Sequence, residues 1–314
     1  MAFDQSKWVW MNGELIPWQE ANVHVSVHGL HYGSGVFEGV RCYQTDDGPA
    51  VFRLEDHLAR LYASAEVYGI EIPFAREELA DATCELIVRN EFTSCYVRHI
   101  SFFGSESLGL HPGPCPVEVA ILAWPWAPYL GVNGQQHGVR VTVSPWTKFH
   151  LRMLPTTAKA CGQYLNSILA VRDAVARGYD EALLLDASGH IAEGSGENLF
   201  IVRDGQLFTN DVPDSILLGI TRDSVIDIAQ DLGYPVHIET LHLDELLSAD
   251  EAFFTGTATE VAPICEVDGT RIGPGMPGRI TTEIQKVFFE AVAGRVPRYQ
   301  HWLTPATAAM EVLV

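Results

Sequence analysis

Lysine is scarce in this chain: four lysines, at positions 7, 148, 159 and 286, stand against sixteen arginines. Positive charge as a whole is short, with 20 Lys and Arg against 40 Asp and Glu and a formal net charge of -20. A surface of that sign repels a phosphate backbone and an anionic lipid face, which excludes nucleic acid and anionic membrane as expected partners and leaves small molecules. No apolar run approaches the roughly 20 residues that cross a bilayer. The start, MAFDQSKWVWMNGELIP, has no basic region followed by an apolar stretch, so a cytoplasmic protein is expected. Cys42, Cys84, Cys95, Cys115, Cys161 and Cys265 are scattered without a C-x-x-C pair, which points to reduced packing thiols and against a disulfide framework or a zinc site. The phosphate-loop signature G-x-x-x-x-G-K is missing too, and there is no internal repeat or low-complexity tract.

What is present is an ordinary globular composition, 47% apolar and 19% charged, over 314 residues, enough for two domains. WVWMNGELI reads as a hairpin turned at Asn12-Gly13, where positive φ angles are needed. LEDHLARLYASAEVYG places Leu54, Leu58, Leu61, Ala65 and Tyr68 on one helical face and stops at Gly69. A second helix is expected over 76–90, then strands at SCYVRHISFF and VEVAILAW. The Pro- and Gly-rich stretch from 124 to 135 reads as a linker, giving a small N-terminal α/β domain 1–124, an interdomain loop 125–136 and a larger domain 137–314 that contains Lys159. That second part mixes strands (GVRVTVS, EALLLD, NLFIV, EAFFTG) with helices near 160–177 and 221–232. The pattern is α+β without regular β-α-β alternation, which disfavours a doubly wound sheet. In ANVHVSVHGL the valines alternate as in a strand, so His24 and His28 are expected on a polar face, His31 in the turn beyond Gly29, and no metal site is expected there.

Lys159 lies between two alanines ahead of an apolar helix. An amine is a nucleophile only when deprotonated, and an apolar setting lowers its pKa toward that state. Position alone is also what a surface lysine at a helix start would show. A second signal comes from EGSGENLFIVRDGQLFTNDVPDSILLGITRD, residues 193–223. Here a glutamate and an Asn precede two short strands joined at Asp204-Gly205, and a helix then opens at Gly219, Ile220 and Thr221, where backbone N–H groups favour an anion. FFTGTATE supplies a second small, hydroxyl-bearing turn at 255–259. Two such turns with an isolated lysine and a glutamate point to a phosphorylated cofactor that reacts with amines.

These motifs, with LHYGSGVFEGVRCY (30–43), RLEDHLARL (53–61), YVR (96–98) and AKACGQY (158–164), make a chain that resembles the class IV aminotransferases. That family comprises fold type IV pyridoxal-phosphate enzymes with the two-domain α+β fold of D-amino acid aminotransferase, and within it the chain looks like the branched-chain aminotransferases. The resemblance implies pyridoxal 5'-phosphate bound as an aldimine to Lys159, which also carries the catalytic proton. It implies Glu193 at the pyridine nitrogen and Tyr164 at the phenolic oxygen. Phosphate falls to Arg60, Ile220, Thr221 and Thr257, and Gly196, Asn198, Leu217, Gly219 and Gly256 complete the cofactor site. For the substrate it implies Phe37, Gly39, Tyr96, Arg98, Trp126, Tyr129, Thr257 and Ala258, with Tyr32 and the loop bearing Leu108 and Leu110 contributed by the partner subunit of a homodimer. Tyr96 and Arg98, two residues apart on one strand, share a face. Arg60 falls on the flank of its helix away from Leu54 and Leu58, where a solvated arginine is an equal reading. The implied reaction is reversible amino transfer from L-leucine, L-isoleucine or L-valine to 2-oxoglutarate. A D-amino acid or (R)-amine transaminase, an aminodeoxychorismate lyase and a catalytically silent protein stay open as alternatives.

Overall fold

The computed structural model describes residues 6–127 and 129–307, so residues 1–5 of the N-terminal segment and Pro128 of the expected linker lie outside the described residues. Two compact units emerge. One takes the residues up to Trp126, Ala158–Gly162 and the chain from Glu290 onward, and the other takes Ala127–Thr157 and Gln163–Phe289. Lys159 therefore belongs by its contacts with the first unit, although in sequence it falls within the stretch 137–314.

The first unit is built on a seven-stranded antiparallel sheet. Its strand order is Leu303–Pro305, Gly48–Phe52, Gly35–Thr45, Cys95–Phe103, Val117–Trp124, Trp8–Met11 and Glu14–Pro17. The hairpin turns at Asn12 (φ 51) and Gly13 (φ 98), as its Asn-Gly dipeptide requires. Helices Leu54–Val67 and Arg76–Arg89 bury Leu54, Leu58, Leu61, Leu79, Leu86 and Ile87 in one core with Val36, Val40, Val97, Val119 and Ile121 of the sheet. The first helix ends ahead of Gly69, whose φ of 64° terminates it. The segment around Lys159 is zipped to the start of the Gly35–Thr45 strand. Phe37 N–H donates to Lys159 O (3.0 Å), Gly162 N–H donates to Gly33 O (3.2 Å), and Val36 bridges Ala160. Both alanines flanking the lysine are buried, and their small side chains permit this approach.

The expected strand at ANVHVSVHGL is not formed. Val23 and Val25 are exposed, only Val27 is buried, and the chain turns into a short helix, His28–Tyr32, closed by Gly33 at φ 64°. Side-chain bonding outweighs the alternation. The His28 ring is buried, donating from Nε2 to Gly109 O (2.8 Å) while Nδ1 meets the Ser34 hydroxyl (2.6 Å), so it is no solvated polar-face residue. His31 Nε2 donates to Val25 O (2.8 Å) and His24 Nδ1 meets Ser26 Oγ (2.7 Å), so each ring has a local protein partner.

The second unit holds a nine-stranded mixed sheet. Its path runs Val236–Ile238, Gln206–Thr209, Asn198–Arg203, Glu251–Gly256, Glu260–Val267, Val139–Val143, Glu181–Leu185 and Ile191–Gly194, with Thr270–Arg271 added beside Glu260–Val267. Three of the pairings are parallel and the rest antiparallel, which is the mixed arrangement expected of an α+β chain. Helices Tyr164–Ala176 and Ile220–Asp231 stand close to their expected bounds. The stretch read as linker contains a helix, Gly131–His137. Its glycines bracket that helix, Gly131 at φ 74° and Gly138 at φ 88°, and Gln285 Nε2 ties it down by donating to Gln135 O (3.0 Å). No helix among the described residues is long and apolar enough to cross a membrane.

Candidate active site

In the first unit Lys159 points its Nζ toward the Phe37 ring, 5.2 Å from the centroid. Its backbone N–H donates to Ser64 Oγ (2.9 Å), a hydroxyl on the Leu54–Val67 helix with no solvent exposure. Burial, and after it the Arg60 guanidinium, push the Lys159 amine below its ordinary pKa, with Glu38 and Tyr96 pulling the other way. Lowering an amine's pKa favours its neutral, nucleophilic form.

Arg60 is not solvated. Its Nε donates to Glu38 Oε1 (2.6 Å) and its Nη2 to Glu38 Oε2 (2.9 Å), while His57 Nδ1 donates to the same Oε2 (2.7 Å). Burial is the largest influence on Glu38 and raises it, yet the arginine and the histidine together hold the carboxyl well below the usual range. Burial also lowers His57, so a neutral ring supports the carboxylate.

Across the sheet, Gly39 pairs with Arg98 and Arg41 with Tyr96, which puts Phe37, Gly39, Tyr96 and Arg98 on one face. The Arg98 guanidinium lies 4.6 Å from the Phe37 ring centroid, 5.5 Å from Tyr96 and 5.9 Å from Trp124. Its Nε is buried and has no hydrogen-bond partner among the described residues. Trp126 packs edge-on against Tyr96 at 4.6 Å. Gly39 is required here, because a Cβ on it would overlap the Tyr96 hydroxyl. Tyr32, Leu108 and Leu110 are exposed, the two leucines at 51% and 84%, and the Tyr32 hydroxyl donates to Leu108 O (2.7 Å).

In the second unit Glu193 is buried on the Ile191–Gly194 strand. Its Oε2 accepts from Leu217 N–H (3.0 Å) and from Asn198 Nδ2 (3.4 Å), and its Oε1 meets the Lys148 ammonium at 2.6 Å. Asn198 also donates to Leu217 O (2.8 Å), which fixes the chain just before Gly219. Gly219 is the N-terminal cap of the Ile220–Asp231 helix and, being glycine, brings no side chain of its own to cap it. A helix start of this kind attracts an anion, and buried Thr221 adds a hydroxyl in the first turn. The Thr257-Ala258 turn follows the Glu251–Gly256 strand. Glu197 braces it, taking Thr259 Oγ1 on one oxygen and Gly196 N–H on the other (both 2.9 Å), and Tyr129 N–H donates to Ala258 O (3.2 Å). Tyr164 is half-buried at the first turn of its helix.

The sequence profile of the Amino-transferase class IV family matches residues 35–267, most of the chain and every element just described around Lys159, Glu193 and Gly219. The chain belongs to the class IV aminotransferases. This aminotransferase is 44% identical to the branched-chain-amino-acid aminotransferase of Pseudomonas aeruginosa, over 96% of its own length and 98% of that protein's. It is 41% identical to the branched-chain-amino-acid aminotransferase of Escherichia coli over 96% and 98% of the two chains. Among solved structures it superposes on the T.th. branched-chain amino acid aminotransferase with pyridoxamine 5'-phosphate at a TM-score of 0.93 and 48% identity, covering 96% of this chain and 99% of that one. The same T.th. enzyme has been crystallised in complex with N-(5'-phosphopyridoxyl)-L-glutamate and with 4-methylvaleric acid, both at a TM-score of 0.91 and 47% identity, with the same coverage.

Of the residues singled out from the sequence of this aminotransferase, the first unit assembles Lys159, Arg60, Phe37, Gly39, Tyr96, Arg98 and Trp126. The second unit links Glu193, Asn198, Leu217 and Gly219 in one hydrogen-bonded chain beside Ile220 and Thr221, and joins Gly196, Gly256, Tyr129, Thr257 and Ala258 around the second turn. Sequence reasoning missed Glu38, His57, Ser64 and Lys148. Glu38 carried a signal, an acid between the apolar residues Val36-Phe37 and Gly39-Val40. Lys148 carried one in being one of only four lysines.

Proposed function

We propose that this chain reversibly transfers the amino group of L-leucine, L-isoleucine or L-valine to 2-oxoglutarate, using pyridoxal 5'-phosphate bound to Lys159. The donor set fits that cofactor. In the first unit a buried amine of lowered pKa suits its aldehyde and Arg60 suits a phosphate; in the second the helix start at Gly219 with Thr221, and Thr257, suit a phosphate, and the Glu193 carboxylate suits a protonated pyridine nitrogen. When bound, pyridoxal phosphate supplies an electron sink for the carbanion left by proton removal at the substrate Cα. Lys159, as the neutral amine, takes that proton and returns it. Glu193 holds a proton at the ring nitrogen, and Tyr164 serves the phenolic oxygen. The turn at Thr257-Ala258 receives the substrate α-carboxylate.

Arg98 carries the substrate assignment. Aromatic faces of Phe37, Tyr96 and Trp124 offer desolvated walls to an aliphatic side chain, while a buried guanidinium Nε with no partner among the described residues offers a donor to the second carboxylate of glutamate. One pocket then accepts both members of the exchange. Support for a homodimer comes from exposed Leu165, Ile168 and Leu169, spaced to share one face of their helix, with Trp146 and Met153 also exposed, and from exposed Tyr32, Leu108 and Leu110, which would serve the partner subunit's substrate. We place the enzyme in the cytoplasm.

A panel of L-amino acids, D-amino acids and (R)-1-phenylethylamine against 2-oxoglutarate and pyruvate tests this reading. Fast exchange of the three branched L-amino acids with 2-oxoglutarate is expected. Dominant turnover of a D-amino acid with pyruvate, or of the amine, would replace it with the other transaminase reading.

A further inference from the structure

Glu38 is a carboxylate with no solvent exposure in the buried part of the Gly35–Thr45 strand, and the chemistry proposed above does not use it. Burying such a charge is costly unless it is paired and hydrogen-bonded, and here it receives three donors. The pair is asymmetric. Glu38 is wholly sealed, whereas the Arg60 side chain keeps 15% of its exposure.

Arginine presents its N–H groups in a rigid planar fork, and committing Nε and Nη2 to one carboxylate fixes both the plane of that fork and the direction of its other flank. His57, Arg60 and Ser64 recur at i, i+3 and i+7, one face of the Leu54–Val67 helix. That face holds the backbone N–H of Lys159 through Ser64 and the buried carboxylate through His57 and Arg60. A cofactor pinned both at its aldehyde end and at its phosphate needs the two pins in register, and one rigid helix face sets them.

We infer that Glu38 is a positioning residue that orients the Arg60 guanidinium toward the phosphate of pyridoxal phosphate, with His57 holding Glu38 in place. This rests on the reading of Arg60 as a phosphate ligand.

The test titrates the full-length, cofactor-stripped protein with pyridoxal phosphate and, separately, with pyridoxal, which lacks the phosphate, at a pH above the capture midpoint of Lys159 in every variant, so that changes in the charge of that amine do not enter. Arg60→Met should weaken pyridoxal phosphate and spare pyridoxal. If it affects both equally or neither, the phosphate reading of Arg60 is wrong. With that reading in hand, Glu38→Gln should weaken pyridoxal phosphate about 10- to 100-fold, by analogy with the loss at metal sites when the groups that orient the ligands are removed, and leave pyridoxal within about twofold. In the double variant the two losses should not multiply, because both act through one guanidinium. Unchanged selectivity in Glu38→Gln, or losses that multiply, would overturn the inference. Should Glu38→Gln not accumulate as folded protein, His57→Gln removes only the outer support, and a smaller loss confined to pyridoxal phosphate is expected. An equal loss for both ligands, or none, would again overturn it.

Discussion

Replacing Arg98 with leucine should separate the two halves of the exchange reaction. The guanidinium lies over three aromatic rings and its Nε has no hydrogen-bond partner among the described residues, so it is a donor set among aromatic side chains. When glutamate or 2-oxoglutarate enters, its distal carboxylate loses its water and needs that donor; leucine's side chain does not. A hydrogen bond to a charged partner is worth about 1.5 to 3 kcal/mol, and at 1.4 kcal/mol per factor of ten this is a loss of about 10- to more than 100-fold in affinity for the diacid. Arg98→Leu should therefore raise KM for glutamate and 2-oxoglutarate by that factor and change the leucine half-reaction by less than about threefold. Titrating the cofactor spectrum separately with leucine and with glutamate reads the two halves independently. Equal losses for both amino acids would refute the reasoning and assign Arg98 to the shared α-carboxylate or to the fold.

Glu193→Gln should keep cofactor but lower kcat by roughly 10- to 100-fold in single-turnover kinetics, since an amide does not hold a proton at the pyridine nitrogen; an unchanged rate would make Glu193 a support for Lys148 alone. The same change strands the buried Lys148 ammonium and should lower stability, by up to about 3 to 5 kcal/mol in denaturant titration. Gly219→Ala brings a Cβ into overlap with Asn198 Oδ1, so Asn198 must leave Leu217 and Glu193; about 1 to 3 kcal/mol of stability should be lost together with cofactor affinity, and a neutral result would show that the helix start shifts freely. The pH dependence of pyridoxal capture follows from Lys159. Its pKa is lowered, so the reactive neutral amine persists below the usual lysine range and is lost as pH falls through the depressed value. Arg60→Met removes a neighbouring positive charge and should move that midpoint up, and Glu38→Gln removes a negative one and should move it down. Shifts in the opposite sense in stopped-flow capture would contradict the electrostatics.

Local chemistry made much of the fold legible. Asn12-Gly13 has few conformations open to it, the Leu54, Leu58 and Leu61 stripe has one face to bury, and Gly219 ends a loop where a helix must begin. The misreadings share a cause, which is that bonding to residues distant in sequence decided the outcome. Alternating valines at 23, 25 and 27 predict a strand only if a sheet takes one face, and His28 instead bonds Gly109, far along the chain. Gly131 and Gly138 look like linker residues until Gln285 ties the helix they bracket. Arg60 seemed open to solvent because its partner, Glu38, lies on another element 22 residues away. Lys148 drew no attention because its role depends on Glu193, 45 positions further on and met only through the sheet.

The central claim is that Lys159, and no other lysine, is the reacting amine. Lys148 is the serious competitor, being buried as well and lying 2.6 Å from Glu193 Oε1; what singles out Lys159 is its place against the Phe37 ring and a pKa pushed down by burial and by the Arg60 guanidinium. Reducing the pyridoxal-phosphate-loaded protein with borohydride fixes the cofactor to whichever amine holds it, and mass mapping of the peptides locates it. The pyridoxyl group should appear on the peptide containing Lys159 and vanish in Lys159→Ala. Finding it on Lys148, Lys7 or Lys286, or finding near-normal turnover in Lys159→Ala, would contradict the account.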